Sequence, residues 1–241
     1  TFIIPIVAVI VLLAAQALCD LELPSYTSDI INNGIQQGGI DKGLPEVLTE
    51  DMYDAIVKIS DSNPAIMASY DFYVSENLTT EELDSLGSKY PLLKEENLYI
   101  LKNLTEEEKD IVEEQIKIPL IITIMLYSNN ESISAGLNLE IPEEGNLLDI
   151  VLAMDTNTFN LITDSIETSL EKLDASILNQ YAVSSVSTIY NDIGMDMEDY
   201  QMDYIINKGL MMLAIAGIGM IIAIIVGFLV AKLAAKIGYV L

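Results

Sequence analysis

GLMMLAIAGIGMIIAIIVGFLVA (residues 209–231) contains no charged side chain, and two lysines, Lys232 and Lys236, follow it. At about 1.5 Å of rise per residue, a helix of this length crosses a hydrocarbon core of roughly 30 Å. Within it small residues recur at every fourth position: Gly219, Ala223, Gly227 and Ala231, with Ala235 beyond. On a helix these form a low-relief stripe against which a neighbouring backbone can close. Such packing joins helices in lipid, where hydrophobicity gives no drive for association. We read the stripe as a helix-packing surface and the helix as a member of a bundle. The blander reading is an anchoring helix that merely contains Gly and Ala.

The rest of the chain has a different character. Its 241 residues carry a net charge of −26 although 51% are hydrophobic, a combination foreign to an ordinary soluble domain. Every Asp and Glu falls between Asp20 and Asp203, and both ends are nearly free of charge. An acidic, water-facing domain between two apolar segments accounts for both numbers. All basic residues are Lys, and His, Arg and Trp do not occur. An acidic surface repels polyanions, so nucleic acid is not an expected partner. The single Cys19 cannot close a disulfide within the chain. The lack of His and of Cys pairs removes the usual zinc, haem and iron–sulfur ligand sets and the nucleophile–His pairs. The chain opens on Thr1 inside an apolar run and closes on Leu241 without a terminal motif, so it is expected to be a fragment of something longer.

Residues 1–19, TFIIPIVAVIVLLAAQALC, are uncharged and fit a span whose beginning is cut off. A signal peptide would need a basic start and a small-x-small cleavage site, and neither is evident. A lipidated Cys19 would need a small residue where Leu18 stands. The segment is read as a retained helix, with Pro5 tolerable in lipid. Beyond it Asp20 and Glu22 mark the exit from lipid. Pro24 sits where a helix kinks or restarts, and Ser25, Thr27 and Ser28 are candidate caps. Ile30, Ile31 and Ile35 give an apolar face at helical spacing, ended by Gly38-Gly39.

Residues 40–204 read as a mostly helical domain with one or two short strands. Pro45 suits the first turn of a helix reaching Ser60, and Asn63-Pro64 breaks the chain. Thr79–Glu82 and Thr105–Glu108 both match the Thr-x-x-Glu capping box, each after Asn-Leu. Pro119 should interrupt the second of these helices, leaving 120–127 as a buried helix or strand. Ser128-Asn129-Asn130 is a break, and 136–141 alternates weakly as one short strand. Phe159, Ile162, Ile166, Leu170, Leu173 and Ile177 recur in steps of three and four, the mark of a core-facing helix. Helix continues through 182–190, Gly194 ends it, and 200–207 leads into the second span. The fold class is thus mainly α, with domains at 1–39, 40–204 and 205–241. Lys232 and Lys236 put the closing end in the cytoplasm and the acidic domain outside; Lys208 argues weakly the other way.

No active site can be assembled. Asp155-x-Asn157 suggests a calcium loop, but the turn Gly is missing at Asn160 and the closing acid at Ile166. Asp192, Asp196, Glu198, Asp199 and Asp203 could hold a divalent cation loosely, though a solvated surface is the simpler reading. Asn77-Leu-Thr and Asn103-Leu-Thr match glycosylation acceptors and also lead into the two capping boxes. No Walker A loop is present. No catalytic, cofactor or metal residue is therefore assigned.

Two stretches resemble a known family. CDLELPSYTSDIINNGIQQGGI (19–40) is similar to the outer end of the first transmembrane helix of multidrug-type ABC exporters, where an acid, Leu-Pro and an Ile/Val-x-x-Gly-Ile pattern recur. YIINKGL (204–210) through VGFLVAKLAAKIGYVL (226–241) is similar to that family's second helix, descending towards the first coupling helix. The likeness is to a microbial subset with a large outer domain between these helices, in which 182–203, with its YNDIGMD run, also has a counterpart. The resemblance implies a multi-pass cell-membrane subunit with six membrane helices and a cytoplasmic ATPase domain, paired with a second subunit as a heterodimer. Such a protein uses ATP and Mg to move drugs, lipids or peptides outward by alternating access, and the outer domain would cap or gate the pathway. A two-span sensor or chemoreceptor with a helical ligand-binding domain has the same topology. A tethered adhesin or scaffold is a third reading.

Overall fold

The computed structural model describes residues 3–129 and 145–240, with side chains for 4–129 and 145–235. The weak strand expected at 136–141, and Asn130, lie outside these residues. The chain is mainly α-helical, with a few short strands and a long apolar helix towards each end. It divides into two compact units, one formed by Thr1–Gly39 with Glu198–Leu241 and the other by Ile40–Met197. The division near the C-terminal end thus falls at residue 197, ahead of the expected boundary at 204.

The first unit consists of two long helices. Helix α1, Ile3–Asp29, continues through Pro24 and passes into a π-helical segment, Ile30–Gln36. The expected restart at Pro24 does not occur. Thr27 Oγ1 donates back to the Leu23 carbonyl at 3.0 Å, and Ser28 Oγ accepts from Asn32, so these side chains brace a continuing helix instead of capping a new one. Gly38 and Gly39, with φ of 64° and 87°, end it, and the Gly39 N–H reaches six residues back to the Asn33 carbonyl. The other long helix, here α9, Met197–Val240, is unbroken. Both are long and apolar enough to cross a membrane by length and composition.

In the second unit an antiparallel sheet has the order β1-β3-β2: Val47–Thr49, Leu98–Leu101 and Tyr70–Tyr73. Leu48 pairs with Tyr99, and Phe72 pairs with Tyr99 from the other side. Pro45 leads into β1 and not into a helix; α2, Glu50–Ile59, starts five residues later, where the Thr49 side chain accepts from Met52 N. Asn63 caps α3, Pro64–Ser69. Both capping boxes form. Thr79 heads α4, Thr80–Lys89, and Thr105 heads α5, Glu106–Tyr127, each with its reciprocal Glu82 or Glu108 bond.

Helix α5 passes through Pro119 without a break, contrary to the expected interruption. An interior proline costs a helix about 3 kcal/mol, and burial outweighs that here. Ile116, Leu120, Ile122 and Leu126 are all fully buried, each contributing roughly 1.5–3 kcal/mol. Around α5 pack α2, α3 and three further helices: α6, Leu147–Leu152; α7, Thr156–Leu170; and α8, Ala175–Asp192. The stripe read as one helix is therefore two. Phe159, Ile162, Ile166 and Leu170 are buried on α7; Leu173 lies in the turn, and Ile177 is partly exposed on α8. Gly194, with φ of 79°, follows α8 as anticipated.

Candidate functional site in the paired apolar helices

Helices α1 and α9 pack antiparallel, as their facing residues show. A Cβ added at Gly219 would sit 3.6 Å from Cys19 Cβ. Thr27 lies against Met212, Asp29 pairs with Lys208 at 3.3 Å, and Asn33 Nδ2 donates to Tyr204 Oη at 3.3 Å. On α9 the partly or fully buried positions include Met212, Ile215, Gly219, Ile222, Val226, Leu229 and Leu233, in steps of three and four, with Ala216, Gly217 and Ala223 beside them. On α1 they include Pro5, Ala8, Leu12, Ala15, Cys19, Leu23 and Tyr26. This is a period of about 3.5, the seam of a left-handed helix pair.

The small-residue stripe follows a different line. Four residues turn a helix by about 400°, so the row Gly219, Ala223, Gly227, Ala231, Ala235 winds about 160° around the axis and is not straight. Gly219 is buried in the seam, Ala223 lies at its edge, and Gly227, Ala231 and Ala235 are exposed. A Cβ at Gly227 would meet nothing within 4 Å. Only the Gly219 end of the stripe serves the pair; the end at Gly227, Ala231 and Ala235 is an open, low-relief flank. Lys232 is exposed beside it, and Lys236 falls one turn further along α9.

The tightest fit lies at the other end of the pair, around the π-helical segment. Gly34 is buried, and a Cβ there would be 2.9 Å from Ile205 Cγ1. Gln201 Nε2 donates to the Gly34 carbonyl at 2.7 Å and lies 3.5 Å from that of Ile35. A Cβ on Gly39 would be 3.0 Å from Gln201 Cα. Ile31 and Ile35, read in the sequence as an apolar face, are exposed, and Asn33 and Gly34 face α9 instead. Gln201 could not be found by reading the sequence, because its role depends on pairing across more than 160 residues.

In the second unit, Asp155 does not begin a calcium loop. Its Oδ1 accepts from Asn157 N and Thr158 N at the start of α7, and hydrogen bonding from Thr158 holds its carboxyl below the usual range. The acidic cluster divides between the units, with Asp192 and Asp196 in one and Glu198, Asp199 and Asp203 in the other. Among the described residues no three carboxylate or thiol groups converge on a point fit for a metal ion. A cavity of about 280 Å³ is lined by Asp51, Glu96, Asp149, Asp192 and Tyr127, among others. Burial, then the Asp192 charge and hydrogen bond, push the Tyr127 phenol up. Its carboxylates give the cavity an acidic lining.

Against this geometry, no family model, curated protein or solved structure matches the chain.

Proposed function

We propose that this chain is the front part of a multidrug-type ABC exporter subunit, with its first two membrane helices bracketing a domain that caps or gates the pathway on the outer face. The observation that carries the reading is the resemblance of 19–40 and 204–241 to that family's first two helices. The antiparallel pairing of those same stretches supports it. So does the open flank at Gly227, Ala231 and Ala235, which a bundle of further helices would cover. In this reading the C-terminal end, with Lys232 and Lys236, is cytoplasmic and residues 40–204 are extracellular. Lys208, at the other end of the same helix, argues weakly the other way; it is paired with Asp29 and could snorkel to the interface. The complete subunit would bind ATP and Mg in a later domain, work with a second subunit, and move drugs, lipids or peptides outward.

The deciding experiment is to read the parent gene beyond Leu241. Four further apolar spans followed by a Gly-x-x-x-x-Gly-Lys-Ser/Thr loop are expected. A direct continuation into a signalling coiled coil or a kinase would replace the exporter with a two-span sensor.

A further inference from the structure

We propose that the π-helical segment Ile30–Gln36 is a register switch, and that the Gln201 side chain holds it in the π form. In a π-helix each N–H reaches five residues back, one more than in an α-helix, so the segment carries surplus residues within its turns. Such segments are rare and short, and they persist where neighbouring groups stabilise them. Here the neighbours are specific. The chain-ending bond from Gly39 N–H goes to the Asn33 carbonyl, and the next carbonyl, that of Gly34, takes its hydrogen bond from Gln201 on α9. Gly34 allows the two backbones to approach closely enough for this reach, since Ile205 fills the space a side chain would occupy.

The same contacts define the second state. When α9 shifts along or about its axis, Gln201 leaves the Gly34 carbonyl, and that carbonyl needs another donor. Rewinding towards the α register supplies one, because each N–H then bonds one residue nearer. Rewinding also turns every residue after Ile30 further about the helix axis and carries Gly38-Gly39 with it. The outer end of α1 therefore reports the position of α9. This holds whether the whole protein is an exporter or a sensor.

Amide hydrogen exchange on the full chain in lipid nanodiscs tests it, using Gln201→Ala, deletion of Asn32, and the two combined. Gln201→Ala is expected to shift the exchange pattern across 33–39 to that of the deletion variant, and to leave 209–231 unchanged. Deleting Asn32 removes a surplus residue. It should give a continuous α-helix whose exchange no longer responds to Gln201→Ala. Unchanged exchange at 33–39 in Gln201→Ala overturns the proposal. So does general acceleration through both helices in the deletion variant, which would make the π segment a fixed part of the pair and not a switch.

Discussion

Gly43 has no room for a methyl group: a Cβ there would lie 2.5 Å from Ala182 Cβ, on the buried side of α8. Its N–H also donates to Glu113 Oε1 at 2.9 Å, which fixes the backbone it would have to move. Gly43→Ala should destabilise the second unit by about 1–3 kcal/mol, the usual cost of overpacking; urea unfolding followed by tyrosine fluorescence measures it. One residue earlier, Lys42 bridges Asp110 at 2.6 Å and Glu106 at 3.0 Å. Partial burial works against its charge, but the hydrogen bonds that Lys42 donates to Asp110 and Glu106, with their negative charges, outweigh this and push it up to about 12. Glu106, bonded to Lys109 and Lys42, is held down to about 2 from the usual 4.5. A carboxylate depressed on folding stabilises the protein above its unfolded value, and the gain is lost as pH falls through the folded value. The stability difference between wild type and Glu106→Gln should therefore shrink as pH drops from about 4.5 to about 2. Glu106 is largely exposed, so the effect is small and should weaken further in salt. A difference that stays constant across that interval would show that the bridges do not form in solution.

Local signals were legible in the sequence where they act within a few residues. The Thr-x-x-Glu boxes at Thr79 and Thr105, the Gly38-Gly39 stop and the Phe159–Leu170 face are each set by neighbours along the chain, and each has its element. Other elements were not legible. The strands Val47–Thr49, Tyr70–Tyr73 and Leu98–Leu101 are too short to show alternation, and exist because each pairs with another. Helix α5 continues past Pro119 because its surroundings bury it. The π-helical segment meets Gln201, which lies more than 160 residues away along the chain. Thr49 could be found only once β1 was seen to precede α2; Thr49→Ala should cost about 1 kcal/mol, read as a shift in the unfolding midpoint. In the apolar pair, the seam and the stripe predict different outcomes for the same substitution. Gly219→Leu should force α1 and α9 apart, and Gly227→Leu should leave the pair intact. Cysteine cross-linking of positions 27 and 212, in a Cys19→Ser background, reports pairing directly. If Gly227→Leu nevertheless lowers assembly or activity of the complete protein more than Phe228→Leu does, the open flank has a helix against it. Equal cross-linking in all three variants would remove the seam.

The two units differ in what each needs from its surroundings. Residues 40–197 hold a closed core from Ile40 to Met195, joined by the sheet and by the bonds of Glu46, whose N–H donates to Tyr190 and whose carboxylate accepts from Lys89. Expressed alone, 40–197 should be soluble and unfold in one cooperative transition. Aggregation would mean that its exposed residues, Leu161 at 72% and Ile111 at 56% among them, are normally covered. The other unit exposes apolar side chains along both helices and should require detergent or lipid. Acids stop at Asp203, whereas the two units meet at residue 197, because α9 begins among acidic residues. That early start has a mechanical consequence. From Met197 to Val240 the helix contains no proline, and its 44 residues make a rod about 66 Å long. A rod of that length is a lever: tilted by about 10° about one end, it carries the other through about 11 Å. The same tilt of α9, pivoting near Lys232, would therefore displace Gln201, about 46 Å away along the helix, by about 8 Å.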